Sequence, residues 1–218
     1  MDVAILLFDR FTALDAVGPY EVLCWLPGTD VRFVAAETGL KRNHPGTLSM
    51  LADLSLDDMP NPDVIVVPGG PGEEQARRDE RVLHWVRRAH ETSQWTTSVC
   101  TGALTLAAAG ILNGLEATTH WLAREELAAL GAVPVTERVV SRGKVITSAG
   151  VSAGIDMALH LASLVAGEEM AQAVQLVLEY DPKPPFTSGS PEQAPAYLVD
   201  RLRSTAAAAA AQRARQSD

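Results

Sequence analysis

Cys100 is the residue of this chain whose type and position best support covalent chemistry. It follows the β-rich segment WTTSV and precedes Thr101, Gly102 and an alanine- and leucine-rich segment that is typical of a helix. A side chain at such a junction is held at the rim of a sheet, where amides of the helix start face a developing anion and favour thiolate over thiol. The sequence therefore predicts a nucleophile, although a buried structural cysteine fits the same position equally well.

Two further segments carry polar groups that could serve such a nucleophile. Gly69 and Gly70 follow the apolar segment VIVV, and glycines there let the backbone point N–H groups into the crevice at the strand end. Such donors could stabilise negative charge at a reacting centre, while a tight turn is the plainer interpretation. Asp15 follows the first apolar segment and could exchange protons with a substrate, although its local pattern alone predicts only a helix-start residue.

Three other polar side chains have simpler interpretations. His120 lies in ATTHW, and a Cys–His pair is a common way to activate a thiol, but a half-buried histidine with one hydrogen bond fits as well. Ser152 precedes an apolar helical segment and is expected at its N-cap. Cys24 lies in the apolar stretch VLCWL and is interpreted as structural.

The elements that must position these residues alternate between strands and helices. Apolar β-rich runs predict strands over residues 2–8, 31–37, 63–67 and 95–99, and a hairpin within 133–147. Apolar residues at helical spacing predict helices over residues 15–26, 79–91, 119–130, 152–166 and 168–179. Such alternation predicts an α/β fold with a mostly parallel sheet, helices on both faces, and a ligand site beyond the carboxyl ends of the strands.

Composition and charge restrict the classes of function. The chain has 218 residues, 47% of them hydrophobic, with a formal net charge of −9, which predicts a globular protein and disfavours nucleic acid or anionic membrane as a partner. We expect one α/β domain over residues 1–180 and, over 181–218, an extended proline-rich arm with an alanine-rich tail. The first residues lack the basic region of a signal peptide, and two cysteines cannot form a disulfide framework or match a metal motif. These features predict a cytoplasmic protein.

Several segments taken together resemble the ThiJ/PfpI branch of the class I glutamine-amidotransferase-like superfamily. They follow the family order over about residues 3–165 and are LLFDRFTALDAVGPYEVL, VIVVPGGPG, TSVCTGALTLAAAGILNG, ATTHW and ITSAGVSAGIDMALHL. The resemblance implies a flavodoxin-like three-layer sandwich, a homodimer, and neither a cofactor nor a metal.

A later stretch, VQLVLEYDPKPPFTSGSPEQAP, resembles the carboxyl-terminal arm of the isocyanide hydratases within this superfamily. This likeness implies that Cys100 is the nucleophile, that Asp15 is the general acid and base, and that Thr101 is a catalytic neighbour. Gly70 and Thr101 match the family's backbone donors. The residues implied around the substrate are Gly69, Gly70, Gly102, His120 and Val151. Many superfamily members use a first-helix glutamate where this chain has Asp15, so protease or deglycase activity is less expected.

The resemblance implies that water adds to an isocyanide, a small-molecule partner, to give an N-substituted formamide. One alternative is a non-catalytic ligand- or redox-sensing dimer related to the sensor domain of AraC-type regulators. Because the chain shows no basic recognition helix, DNA binding is not expected. The other alternative is a ThiJ/PfpI hydrolase, glyoxalase or deglycase that uses the same cysteine, since the sequence does not fix the electrophile.

Overall fold

A seven-stranded sheet forms the centre of the fold in the computed structural model, which describes residues 1–216, with side chains through Gln212. Two compact units are distinguished: Met1–Glu179 contains the sheet, and the second begins at Tyr180. In sheet order the strands are β10 (Val139–Arg142), β11 (Val145–Ser148), β7 (Trp95–Val99), β6 (Val64–Val67), β1 (Asp2–Leu6), β2 (Asp30–Ala35) and β5 (Leu54–Ser55). All neighbours are parallel except β10 and β11. The predicted mostly parallel α/β sheet is confirmed.

Strands β1 and β6 are buried on both faces, which explains their continuous apolar runs. Strands β7 and β11 also lie in the centre of the sheet but carry threonine and serine side chains, which are buried as well. Thr97 Oγ1 donates to the carbonyl of Ile65 at 2.9 Å, and Ser148 Oγ of β11 donates to the carbonyl of Ser98 at 3.1 Å. These bonds satisfy buried hydroxyls and tie β7, which leads directly into Cys100, to its neighbours on both sides.

Two groups of helices flank the sheet. One group consists of α1 (Ala13–Leu23), α6 (Ala153–Ala166) and α7 (Glu168–Val177), which pack in series. The other consists of α2 (Glu73–Ala76), α3 (Glu80–Thr92), α4 (Gly102–Ala108) and α5 (Arg124–Ala129), with α4 in contact with each of the others. Helix α1 carries Asp15 and α4 follows Cys100, so the candidate site draws on both groups. No helix within residues 1–216 has both the length and the apolar character that crossing a membrane requires.

The second unit begins with a segment that has neither helix nor strand, from Tyr180 to Pro195. Proline removes backbone donors and fixes φ, which accounts for the irregular backbone. Helix α8 (Ala196–Gln216) then includes the six consecutive alanines, so the alanine-rich tail is helical through Gln216. Ser217 and Asp218 lie outside the described residues.

Several sequence-based boundaries are wrong, and each error has a local cause. The helix expected over 119–130 is a 3₁₀ turn at Trp121–Ala123 followed by α5, because the hydroxyl of Thr119 bonds to the carbonyl of Cys100 and holds an irregular entry. The hairpin expected within 133–147 is present as β10 and β11, but it begins only at Val139. The short strand β9 (Val133–Pro134) pairs instead with β8 (Glu116–Ala117), parallel to it.

A second antiparallel pair was not predicted. Strands β3 (Gly39–Arg42) and β4 (Ser49–Ala52) form a small separate sheet, and their mixed composition is typical of a loop.

Helix α1 ends at Leu23 instead of continuing to residue 26. Cys24 therefore lies exposed at the end of α1, whereas its apolar neighbours in the sequence had indicated a structural position in the core.

Candidate active site

Cys100 lies at the predicted junction, between the end of β7 and the start of α4. Its φ is +58°, in the left-handed region, where a residue with a side chain costs about 1–2 kcal/mol. The surrounding backbone holds this conformation: the Cys100 amide donates to the carbonyls of Ser148 and Ala149 at 3.2 and 3.3 Å, and its carbonyl accepts from Thr119 Oγ1 at 2.8 Å. A strained backbone fixed on both sides presents the side chain in one direction, a geometry that nucleophile elbows share.

The carboxyl group of Asp15 is fully buried beside the Cys100 thiol. Asp15 lies in the first turn of α1, and its Oδ2 accepts from the Gly69 amide at 3.0 Å. Its Oδ1 is buried and, among the described residues, has no hydrogen-bond partner of good geometry. The thiol and this carboxyl group interact closely enough to shift the ionisation of both. The arrangement leaves one carboxyl oxygen available to exchange a proton with the sulfur or with a substrate.

Burial controls the ionisation of this pair. Removal from water raises the pKa of Asp15 to about 7, against hydrogen bonds from Gly69 and Cys100 that lower it. Burial, and then the Asp15 charge, raise the pKa of the Cys100 thiol well above its ordinary value, while the amide and hydroxyl of Thr101 lower it less. Desolvation therefore opposes the thiolate that the helix start was expected to favour, and the Thr101 donors offset it only in part. The site joins a buried thiol to a carboxyl group whose pKa lies near neutral pH.

Gly69 and Gly70 lie next to this pair, as predicted, but their amides are already bound within the protein. The Gly69 amide donates to Asp15, and the Gly70 amide donates to Thr101 Oγ1 at 3.0 Å. The Thr101 hydroxyl in turn interacts with the Cys100 sulfur and lowers the pKa of its thiol. Gly70 therefore acts on the sulfur through Thr101, and its service as a direct donor to substrate stays a prediction.

Gly102 has a packing role that the structure makes explicit. A Cβ atom at this position would lie 2.0 Å from the carbonyl oxygen of Val67, so only glycine lets α4 start this close to the end of β6. The close approach brings the helix start against the Gly69–Gly70 turn. Gly102 thus places the elbow, and its implied contact with substrate remains a prediction.

His120 lies close to Cys100 but does not form the Cys–His pair that the sequence left open. The sulfur interacts with Asp15 and Thr101, while His120 Nδ1 accepts from the Leu122 amide at 3.3 Å. Burial, then the Arg124 charge, lower the pKa of His120, so its imidazole is neutral at pH 7. A neutral ring whose Nδ1 is already occupied is suited to line the recess.

Gly150 is a site residue that the sequence analysis missed. A Cβ atom there would lie 3.1 Å from Cys100 Sγ and 2.4 Å from His120 Cδ2, so the loop between β11 and α6 passes directly over the sulfur. Its neighbour Val151, implied by the resemblance, is half-buried against the core. The signal was the glycine of SAGVSAG after a buried strand, where a close backbone approach is common.

Ser152 occupies the N-cap position of α6 but makes no capping hydrogen bond. Its hydroxyl accepts from Arg138 Nη2 at 3.1 Å, and the Nε of the same guanidinium donates to Asp156 at 2.6 Å. The expected capping bond is therefore absent, because the Arg138 side chain binds the hydroxyl and joins the loop to the first turn of α6.

Thr119 is a second site residue that the sequence analysis missed. It precedes His120 in ATTHW, where no local pattern indicates its hydrogen bond to the carbonyl of Cys100.

The recess around the sulfur is narrow, since Cys100 is only 4% exposed. A wider surface cavity of about 460 Å³ lies near the ends of β1 and β2, with Phe8, Lys41 and Arg81 among its walls, but Cys100 does not line it. We place the chemistry at the recess because it holds the thiol and the perturbed carboxyl group together.

Comparisons with known proteins find relatives over most of the chain. Residues 1–164 match the DJ-1/PfpI family. The chain is 44% identical over 207 residues to the isonitrile hydratase of Pseudomonas putida, covering 95% of this chain and 90% of that enzyme. It is 30% identical over 198 residues to the HTH-type transcriptional regulator GbdR of Pseudomonas aeruginosa, covering 82% of this chain and 50% of the regulator.

Among solved structures, a ThiJ/PfpI family protein from Pseudomonas syringae matches with a TM-score of 0.91 at 34% identity, covering 94% of this chain and 86% of that one. The match extends beyond the sheet to nearly the whole chain. Sequence and fold lead to the same assignment: this protein belongs to the DJ-1/PfpI family.

Proposed function

We propose that this protein adds water to isocyanides, with Cys100 as the nucleophile and Asp15 as the proton carrier. The observation that carries the proposal is the buried thiol beside a buried carboxyl group that ionises near neutral pH. Such a carboxyl group is matched to proton transfer at physiological pH. The 44% identity to an isonitrile hydratase, isonitrile being another word for isocyanide, supports the same substrate class.

The first half of the reaction forms a covalent intermediate. The ionised Asp15 accepts the thiol proton as Cys100 Sγ attacks the terminal carbon of R–N≡C, and the carbon–sulfur bond forms. The same proton then passes from Asp15 to that carbon. The product of this half is a thioimidate, R–N=CH–S–Cys100, with Asp15 again ionised. The Thr101 hydroxyl, which lowers the pKa of the thiol, stabilises the sulfur anion during the attack.

The second half releases the product. Asp15 takes a proton from a water molecule as the water oxygen attacks the thioimidate carbon, and it passes that proton to the nitrogen, which gives the tetrahedral intermediate R–NH–CH(OH)–S–Cys100. The carbon–sulfur bond then breaks as Asp15 takes the proton of the hydroxyl group, which releases R–NH–CHO and the thiolate. The thiolate recovers its proton from Asp15, so the net reaction is one isocyanide and one water to one formamide. One carboxyl group handles the proton in both halves, in accord with a single perturbed carboxyl group beside the sulfur.

The shape of the recess favours an isocyanide over bulkier electrophiles. The terminal carbon of an isocyanide is linear and carries no other substituent, so it can reach a sulfur that is nearly closed off by the Gly150 loop. The carbonyl carbon of a sugar adduct or a peptide carries more substituents, so attack on it by the Cys100 sulfur would require the Gly150 loop to move.

A ligand- or redox-sensing role is the second candidate, favoured by the similarity to the regulator GbdR. In that case Cys100 would bind a ligand or become oxidised without turnover. Other ThiJ/PfpI activities, such as glyoxalase or deglycase chemistry, would use the same thiol on a different electrophile. The enzymatic candidates give different products and the sensor gives none, so one assay separates them.

The test is a substrate panel with matched cysteine variants. Purified protein is incubated with an alkyl isocyanide, methylglyoxal or a peptide, and products are identified by NMR. We expect the formamide from the wild type and from Cys24→Ala, whose exposed thiol lies outside the site, and no turnover from Cys100→Ala. Circular dichroism checks that each variant is folded.

Three outcomes would contradict the proposal. Formamide production by Cys100→Ala at the wild-type rate would remove the nucleophile. Consumption of methylglyoxal or peptide without any formamide would redirect the assignment to another electrophile. Oxidation of Cys100 by peroxide, coupled to a change of shape and with no turnover of any substrate, would favour the sensor.

We also propose that the protein self-associates as a homodimer in a reducing cytoplasm, with a small molecule as its other partner and neither nucleic acid nor membrane. Leu40 and Leu51 are directly opposite each other on the β3–β4 hairpin and are 67% and 56% exposed. Adjacent exposed leucines are typical of an interface. Both cysteines are free, in keeping with a reducing compartment.

A further inference from the structure

Glu73 is a buried carboxyl group that the proposed mechanism does not use. It lies in the first turn of α2, directly after the Gly69–Gly70 turn, and is only 2% exposed. Burying a carboxyl group is costly unless partners compensate, so a buried glutamate outside the reacting centre indicates a specific role. Burial raises the pKa of Glu73 to about 7, although Arg77 and Thr105 lower it.

The partners of Glu73 join three segments around the site. Its Oε1 accepts from Thr105 Oγ1 of α4 at 2.8 Å, and its Oε2 lies 3.3 Å from Arg77 Nε. The Arg77 guanidinium also pairs with Glu126 of α5, the helix that follows the His120 segment. A hydrophobic side chain at position 73 could fill the same space but could not make these connections.

The glycine turn and α4 are thereby tied at two levels. At the first level the Gly70 amide donates to Thr101 Oγ1, and at the second Glu73 accepts from Thr105. Thr101 and Thr105 are four residues apart, so they face the same side of α4, one turn from each other. The Glu73 amide donates to the Gly70 carbonyl at 3.0 Å, which links the two levels on the side of the turn.

We infer that Glu73, through Thr105, is a positioning residue that keeps the Thr101 hydroxyl aligned between the Gly70 amide and the Cys100 sulfur. The hydroxyl stabilises the thiolate only if its oxygen stays within reach of the Gly70 amide while its proton points to sulfur. The hydrogen bond from Thr105 to Glu73, one helical turn further along α4, prevents α4 from sliding relative to the Gly69–Gly70 turn. This inference rests on Cys100 as the reacting group and is independent of the electrophile.

The test measures the reactivity of the Cys100 thiol as a function of pH. Thr105→Val removes the donor to Glu73 with little change of shape, and Thr105→Ser keeps it. Both are made with Cys24→Ser, so that iodoacetamide reports on Cys100 alone. Loss of one hydrogen bond that supports a thiolate raises the pH midpoint of alkylation by about one unit. At any pH below the midpoint, the alkylation reaction is then roughly tenfold slower. We expect this shift in Thr105→Val and a profile like that of the parent protein in Thr105→Ser.

Glu73→Gln provides an independent check, because its amide oxygen can still accept from Thr105. We expect its alkylation midpoint to stay close to that of the parent. If the contact between Glu73 and Thr105 were purely structural, Thr105→Val would lower the free energy of unfolding in urea and leave the alkylation midpoint of Cys100 unchanged. Identical alkylation profiles for Thr105→Val and Thr105→Ser, with both folded, would overturn the inference.

If the valine variant does not fold, Thr105→Ala supplies the same comparison with less steric demand. No isocyanide enters the measurement, so the result stands apart from the proposed function. A chain without hydratase activity can still show the shift, and an active hydratase can fail to show it.

Discussion

At Asp15 the protein keeps a carboxyl group away from water next to a thiol, and the ionisation of both follows from that placement. A carboxylate in water has too low a pKa to hold a proton at neutral pH, whereas burial raises the pKa of Asp15 to about 7. The same burial makes the Cys100 thiol a weak acid at rest. In the proposed mechanism the nucleophile therefore forms when a substrate arrives, by proton transfer from the thiol to Asp15.

The raised pKa of Asp15 has a consequence for stability that can be measured. In the unfolded chain the carboxyl group ionises near its ordinary value of 3.8, and in the folded protein it ionises at about 7. Between these values the unfolded state loses its proton first, so this group's stabilisation is fully present at low pH and is lost as the pH rises toward 7. Relative to the wild type, we expect Asp15→Asn to gain on the order of 4 kcal/mol at most in free energy of unfolding between about pH 4 and pH 7.5.

Urea denaturation of the two proteins across this range checks the prediction, since the difference between their curves isolates Asp15. Asp58→Asn is the control. The Asp58 side chain is exposed, and hydrogen bonds from Ser55 lower its pKa, so its contribution is lost only at more acidic pH. Parallel curves for the wild type and Asp15→Asn would show that the carboxyl group is ionised normally in the fold.

The sequence could reveal some of these residues and not others. Cys100 and Asp15 follow the apolar runs of buried strands, and the carboxyl ends of parallel strands meet at one edge, so their proximity was predictable. Glu73 was not, because an acidic residue after a glycine turn is typical of an exposed first helical turn. Its burial depends on α4 packing against α2, a contact between distant segments that no local pattern encodes.

Among the elements, prediction succeeded where the hydrophobic pattern is strong and failed where tertiary contacts decide. Strand β7 was predicted with its observed bounds, and α3 within one residue, because a buried strand and an amphipathic helix have distinct periods. The β3–β4 hairpin was missed, since its strands are short and only alternate residues face the core. Likewise the shape of the segment from Thr118 to Ala123 depends on a bond to Cys100.

The loop between β11 and α6 sets how much space lies above the sulfur, which gives a test at this scale. In Gly150→Ala the added methyl group would overlap His120 Cδ2 at 2.4 Å and approach the sulfur at 3.1 Å. Either the imidazole or the loop must shift, and displacements of this size at a reacting centre cost on the order of a hundredfold in rate. We expect kcat/KM for isocyanide hydration and the rate of Cys100 alkylation to fall together.

Gly189→Ala is the matched control, because a Cβ atom there meets open space. Both variants are compared with the wild type by formamide production and by iodoacetamide labelling in the Cys24→Ser protein. An alanine at position 150 that leaves both rates unchanged would mean that the loop does not close over the sulfur.

At the scale of the whole molecule, the β3–β4 hairpin raises the question of what covers it. Along β3 and β4 the exposed positions alternate with half-buried or buried ones, and the outward positions include Leu40 and Leu51. The inward residue Met50 packs against the core, so the outward pair does not serve the fold of one chain. Solvent-facing positions of an antiparallel pair are normally polar. Two neighbouring leucines there fit a surface that is buried against a second copy.

A two-fold symmetric interface buries the same patch on both copies, so each change is counted twice. With about 1.5–3 kcal/mol for each buried leucine, replacing both by lysine removes enough apolar burial, and adds enough like charge, to separate the copies. We expect size-exclusion chromatography with light scattering to give a dimer for the wild type and a monomer for Leu40→Lys, Leu51→Lys. Leu176→Lys, which changes a leucine of α7 that is even more exposed, should remain a dimer. If the double variant keeps the mass of the dimer while Leu176→Lys becomes monomeric, the interface lies on the α7 face. A wild type that is monomeric at all concentrations would rule out the homodimer.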